Sequence, residues 1–278
     1  MNKMTFSERI TRAIIFIWFS FYAVCIIYPL LWMFLSGFKT SRELFISTWS
    51  LPEQFKWQNY AMAWKIGVGK YFFNSIMVTV FTVLLTILVS AFAAYALSRF
   101  EFRLREVFLM VIVGGLMLSP QVGLISLYRL LHTFGIYNTY LALIIPYVAY
   151  RVPFTVFLMR SYFLSLPREV EESAYIDGCG SFKVFWHIVL PMSKPILATS
   201  ALLTAMFSWN EFMFALVFIE DKNLRTIPLG LMNMRGELTT NWPVLLAGLA
   251  LSALPMIITF ILFQKQLIRG LTAGSLKG

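Results

Sequence analysis

The sequence predicts an all-α integral membrane protein, a single domain that crosses the bilayer six times. Charged residues make up only 13% of the 278 positions, while 59% are hydrophobic; a soluble domain carries about 25% charge. Aromatic residues reach 17%, with 27 Phe and 8 Trp, which suits lipid-facing and interfacial positions. Six stretches are long enough to cross, since about 20 apolar residues at ~1.5 Å rise span a ~30 Å hydrocarbon core. Backbone groups in lipid must bond internally, so these runs are read as helices. They are neither short nor alternating, as barrel strands would be.

The first span is Ala13 to Phe38. A polar Met1–Arg12 segment precedes it, and the bulky residues from Pro29 to Phe38 offer no small-residue cleavage site, so it is expected to be a retained span rather than a removed signal. The second is Tyr71 to Ser98, preceded by the long polar segment Lys39–Lys70. Gly67-Val68-Gly69-Lys70 is a phosphate-loop decoy: the first glycine is missing at the required spacing, and Tyr71 stands where Ser or Thr is needed. The third span, Val107 to Tyr128, is interrupted by Ser119-Pro120-Gln121. A simple kink is expected there, with Gln121 a weaker candidate for lining a path. The fourth, Tyr140 to Met159, carries Arg151; the fifth, Pro195 to Phe218, carries Glu211; the sixth is Trp242 to Gln264. A lone charge within a span costs about 2.5–3.5 kcal/mol on insertion scales. Arg151 and Glu211 are therefore expected to pair with each other or across subunits, or to snorkel; lining the path is the weaker alternative.

The formal net charge of +10 does not point to nucleic acid, because basic residues flank the spans and set topology. Arg99, Arg103 and Arg105 crowd one tight connection. That loop is expected in the cytoplasm, together with both termini and the 160–194 loop. Lys39–Lys70 and Glu220–Asn241 then face outward.

The 160–194 loop is unusually structured. Pro167 suits the first turn of a helix. Glu169, Glu171 and Glu172 follow where carboxylates favour the helix dipole. Gly178 and Gly180 supply a stop, and Ser181 can cap a second short helix, Phe182 to Leu190, ended by Pro191. Phe182, Phe185, Trp186 and Val189 form an apolar stripe, suited either to lipid headgroups or to a cleft in a soluble partner.

Glu172-Ser173-Ala174, three residues, Gly178, nine residues, then Ile188-Val189-Leu190-Pro191 resembles the EAA loop of ABC-importer permeases, with Ser173 where the family usually has alanine. Tyr71-Phe72-Phe73-Asn74-Ser75, Leu166-Pro167-Arg168-Glu169, Ser208-Trp209-Asn210-Glu211-Phe212 and the tail Gly270-Leu271-Thr272-Ala273-Gly274 with Lys277-Gly278 agree. The chain resembles the carbohydrate branch, in particular the shorter permease of maltose-type importers. The resemblance implies a type I importer permease fold with a cytoplasmic coupling helix, working with a second homologous permease, two ATPase subunits and an extracytoplasmic solute-binding protein in a bacterial-type cytoplasmic membrane. It implies that Glu171, Glu172, Ala174, Asp177 and Gly178 dock on an ATPase, and that Leu190 and Pro191 fix the exit toward the next span. The tail would also reach the ATPases, and the 220–241 loop would probe the binding protein.

The chain is therefore expected to be a sugar or oligosaccharide permease without its own ATP site, cofactor or metal. Glycerol-phosphate or polyol cargo remains an alternative. A self-contained secondary transporter would need mid-span acidic groups near broken helices, and only Glu211 qualifies, off-centre. An intramembrane enzyme would need paired catalytic groups in the spans; His132 and His187 fall on opposite sides, and no HExxH occurs. Cys25 and Cys179 lie on separate segments and imply no disulfide framework.

Overall fold

The computed structural model describes residues 6–232, 234–235 and 240–272. The tail motif from Ala273 onward, with Lys277 and Gly278, lies outside the described residues, as do 233 and 236–239 of the 220–241 loop. Among the described residues the structure is helical, with one isolated bridge between Arg235 and Thr240.

The helices are α1 (Phe6–Ser36), α2 (Ser41–Ile46), α3 (Trp57–Ala63), α4 (Gly69–Arg99), α5 (Arg105–Gly114), α6 (Leu124–Thr133), α7 (Leu141–Ser165), α8 (Glu169–Ile176), α9 (Ser181–Val184), α10 (Leu190–Met192), α11 (Lys194–Asn210), α12 (Met213–Phe218), α13 (Ile227–Met232) and α14 (Trp242–Thr272). Four helical runs are long and apolar enough to cross a bilayer: Ile10–Ser36, Trp57–Arg99, Leu141–Ser165 and Trp242–Ile268. Counting two bent pairs as one span each brings the number to six.

Three runs differ from the sequence expectation. The second begins at Trp57, because α3 passes into α4 through a π turn at Trp64–Val68. The third is no kinked rod: Arg105–Met117 and Pro120–Thr133 meet at 91°. Leu118 and Ser119 are extended, with ψ of 123° and 134°. The residue before a proline is driven out of the helical region, and Pro120 then starts a new helical turn. The fifth run ends at Asn210; Glu211 is extended (φ −68°, ψ 130°), and α12 restarts beyond it.

The chain forms two compact units, residues 1–70 with 231–253 and residues 71–230 with 254–278. In the first, every residue from Ile10 to Leu31 is exposed, as befits a helix clad in lipid. Its packed part lies beyond Trp32. The Phe38 ring meets Phe55, Trp57 and Tyr60. Lys39 is buried, and its Nζ donates to the Ser47 and Thr48 carbonyls at 2.9 and 3.0 Å, which satisfies the end of α2 and offsets burial of the charge. The start of α2 is a capping box in which Thr40 and Glu43 exchange hydrogen bonds. The Thr40 N–H and hydroxyl hold the Glu43 carboxyl below the usual carboxylate range.

In the second unit one apolar cluster sits where the 160–194 segment meets the long helices, joining Tyr95, Met159, Phe163, Ala174, Phe185 and Ile196. Another sits at the opposite end, around Val78, Leu143, Tyr147, Phe214 and Phe218. At that opposite end Asn74 Nδ2 donates to the carbonyls of Asn223 and Arg225, and Tyr140 donates to Asn74 Oδ1 at 2.8 Å. Ser75 accepts from the Ile227 N–H. The asparagine–serine pair thus pins the 220–227 segment to α4. A Cβ on Gly230 would overlap the Tyr71 ring, so the residue must be glycine for α13 to lie this close to α4.

Between these clusters the packing is looser. A cavity of about 240 Å³ lies among Thr79, Val83, Ala198, Ala201, Ala205 and Thr259. The hydroxyls of Thr79, Thr82, Thr86 and Ser90 on α4, and of Ser200, Thr204 and Ser208 on α11, are buried without a hydrogen-bond partner among the described residues.

Candidate functional site

The 160–194 segment folds as a bracket. α8 opens with Glu169, Glu171 and Glu172 in its first turn, where negative charge meets the exposed N–H groups and positive end of the helix dipole. It closes in a Schellman motif: Cys179 N–H bonds to the Ala174 carbonyl at 2.9 Å and Gly178 N–H to that of Tyr175 at 3.0 Å. Gly178 takes φ +82°, and a Cβ there would meet nothing within 4 Å. The glycine is thus required by the turn's handedness, not by crowding within this chain.

The seven bracket residues singled out above divide by direction. Successive helix residues are about 100° apart, so neighbouring glutamates point differently. Glu171 and Ala174 are buried, while Glu172, Asp177 and Gly178 are exposed. Ile176 stands out at 86% exposure. Glu171 does not face outward at all. Its Oε1 lies 2.5 Å from Arg99 Nη2 and 2.8 Å from Nε, with both side chains under 10% exposed.

The second arm begins at α9 and runs to Met192, two residues farther than the Phe182–Leu190 helix expected. A π turn at Phe185–Val189, closed by Leu190 N–H to the Phe185 carbonyl, precedes Pro191. Its wider ring shifts the carbonyl that a proline would otherwise strike. Pro191 therefore sits within the last turn instead of ending it, and the chain bends by 77° into α11. The π turn also changes the helical phase, so the expected apolar stripe splits. Val184, Phe185 and Val189 turn inward, while Phe182 and Trp186 stay exposed. Leu190 is half-buried and Pro191 exposed. Ser181 leaves capping to the backbone, and its carbonyl accepts from Tyr95 Oη at 3.4 Å.

The charged span residues are not a pair. Glu211 caps α12: its carboxylate accepts from Phe214 N–H at 2.9 Å, and Tyr147 Oη donates to its Oε2 at 2.5 Å. Arg151 lies 5.0 and 5.2 Å from the ring centroids of Phe154 and Phe207. No carboxylate lies within ion-pair distance of it among the described residues, and its Nε is buried without an acceptor. The cation–π contacts are worth about 0.5–2 kcal/mol, much of it offset by the cost of holding a cation away from water. Arg151→Met is therefore expected to change stability by less than about 1 kcal/mol, read by thermal unfolding of the purified protein in detergent. A loss above about 2 kcal/mol would mean that the guanidinium has a stronger partner. Gln121, at the break of the third run, is exposed and accepts from Ser119 Oγ. The cavity of about 410 Å³ beside that break is lined by Ser119, Pro120, Tyr150, Pro153 and Phe214.

Sequence reasoning passed over Arg99, which it used only as a topology charge, and Tyr147. Nothing in the local pattern links Arg99 to a residue 72 positions away. For Tyr147, the polar Asn210-Glu211 pair in an apolar run was the available signal that a buried donor stands opposite.

The described residues thus form a helical membrane chain with two broken runs and a bent two-arm bracket at one end of its long helices. Residues 86–272 match the family described as "Binding-protein-dependent transport system inner membrane component". The chain is 56% identical over 257 residues to the probable ABC transporter permease protein YurM of Bacillus subtilis, covering 92% of this chain and 86% of that one. It is 35% identical to the trehalose/maltose transport system permease protein MalG of Thermococcus litoralis, covering 98% and 99%, and 32% identical to the diacetylchitobiose uptake system permease protein NgcG of Streptomyces coelicolor, covering 96% and 88%. A solved chain of a bacterial ABC transporter involved in the import of the acidic polysaccharide alginate superposes with a TM-score of 0.82 at 25% identity, covering 95% of this chain and 99% of that one. The chain belongs to the binding-protein-dependent inner-membrane permeases: it is a multi-pass ABC-importer permease with the type I fold.

Proposed function

We propose that this permease carries a sugar or oligosaccharide into the cell as one half of a pair with a second, homologous permease. Two ATPase subunits drive it from the cytoplasmic side, and a solute-binding protein delivers cargo outside. Both termini and the bracket lie in the cytoplasm, beside the short loop holding Arg103 and Arg105. The bracket is the ATPase-docking element. Glu172, Asp177 and Gly178 form its presented surface, Glu171 and Ala174 its inner face, and Leu190 and Pro191 its exit to the fifth span. The observation that carries this reading is the division of α8 into a buried and a presented face within the 172–191 spacing. The names of the relatives favour saccharide cargo over glycerol phosphates or polyols. Alternating access follows if nucleotide and loaded binding protein bind the two conformations with different affinity.

Co-expression with its ATPases and second permease, followed by ATP hydrolysis in proteoliposomes with a panel of loaded binding proteins, tests the reading. A saccharide is expected to stimulate hydrolysis. Stimulation by polyols or glycerol phosphates alone, or uptake by the isolated chain without any ATPase, would overturn it.

A further inference from the structure

The presented residues of the bracket cannot move a span unless the bracket is fastened to one. Glu171 and Arg99 make the only ion pair between separate helices among the described residues. Arg99 is the last residue of α4, and Glu171 lies in the first turn of α8. Around this pair the cytoplasm-side end of α4 is a junction. Tyr95 Oη lies 3.3 Å from Tyr175 Oη on α8 and 3.4 Å from the Ser181 carbonyl at the start of the second arm. The Leu97 carbonyl, left open at the helix end, accepts from Arg105 Nε at 2.9 Å and Arg160 Nε at 3.2 Å. Arg105 opens α5 and Arg160 lies in the last two turns of α7. One end of one helix therefore holds both arms of the bracket and the ends of two other spans.

We infer that the buried Arg99–Glu171 ion pair is the positioning joint through which displacement of the bracket is delivered to α4 and, through the Leu97 carbonyl, to α5 and α7. The inference deepens the docking reading above and rests on it. The tyrosine contacts are long, neutral hydrogen bonds and allow the arms to slide. The charge-assisted hydrogen bond from Arg99 Nε to Glu171 Oε1, with Nη2 in ion-pair contact beside it, is the shorter and stronger link. Because both groups are shielded from water, the attraction is little screened by salt.

The test uses the complete transporter. Glu171→Gln keeps the shape and an acceptor oxygen but removes the charge. Arg99→Lys keeps the charge but loses the Nε donor. In Glu171→Gln the complex is expected to be recovered with its ATPases at the wild-type level and to hydrolyse ATP, while solute moved per ATP falls about tenfold. Arg99→Lys should fall between the two. Unchanged solute per ATP in Glu171→Gln overturns the inference; so does failed recovery of the complex, which would make the pair a folding element. Glu172→Ala in parallel separates the two readings. If it leaves assembly and hydrolysis untouched, the docking surface itself is misassigned; if it weakens them while Glu171→Gln stays coupled, only the joint is.

Discussion

Glu211→Ala is expected to destabilise the protein by about 2–5 kcal/mol, the largest single-site loss of stability among these predictions. Two consequences add. Tyr147 is fully buried, so its hydroxyl loses an acceptor with no water to replace it, at about 1–3 kcal/mol. The first turn of α12 loses the carboxylate that caps Phe214 N–H, worth about 1–2 kcal/mol. Glu211→Gln keeps the shape and one acceptor oxygen, which Tyr147 Oη and Phe214 N–H must then share, so it should recover only part of the loss. Thermal unfolding in detergent, followed by the fluorescence of the chain's 8 Trp, reads the change. An alanine variant as stable as the parent would show that neither contact matters, and that the break after Asn210 is held by something else.

The largest functional effect is expected at Gly178. A Cβ there meets nothing within 4 Å, so the side chain of Gly178→Trp starts out into open space. It is held back only by the left-handed backbone, at about 1–2 kcal/mol. That cost leaves most of the protein folded, so recovery from the membrane should stay near normal. Uptake should nevertheless fall at least about tenfold, since a ring on the presented surface keeps the bracket out of its partner's cleft. Normal uptake with tryptophan at 178 would refute the docking assignment for this residue.

The sequence states the spans through composition and length, because lipid leaves the backbone few choices. Gly178 was equally legible: glycine after a short acidic helix signals a left-handed close, and the structure supplies the two Schellman bonds. The breaks were harder to read. Pro120 announces an interruption, but whether the chain kinks or turns by 91° depends on Leu118 and Ser119 both leaving the helical region, which no local propensity dictates. The π turns at 64–68 and 185–189 leave no periodic mark, so the stripe drawn at helical spacing splits: Phe182 and Trp186 stay exposed while Phe185 and Val189 turn inward. Charge was the least legible quantity. Glu171, Arg151 and Glu211 each have their partners set by tertiary placement: an arginine at the end of another span, two aromatic faces, and a helix start beside a tyrosine.

The unpartnered hydroxyls along α4 and α11 have a mechanical consequence. A serine or threonine hydroxyl can turn back onto a carbonyl of its own helix, so each helix remains self-sufficient wherever its neighbour stands. A void lies beside these hydroxyls. These seven hydroxyls hold neither helix to its neighbour, whereas at both ends clasps of arginine and asparagine fix what is gripped. The second unit is thus latched at its two ends and left unbonded between them at these hydroxyls.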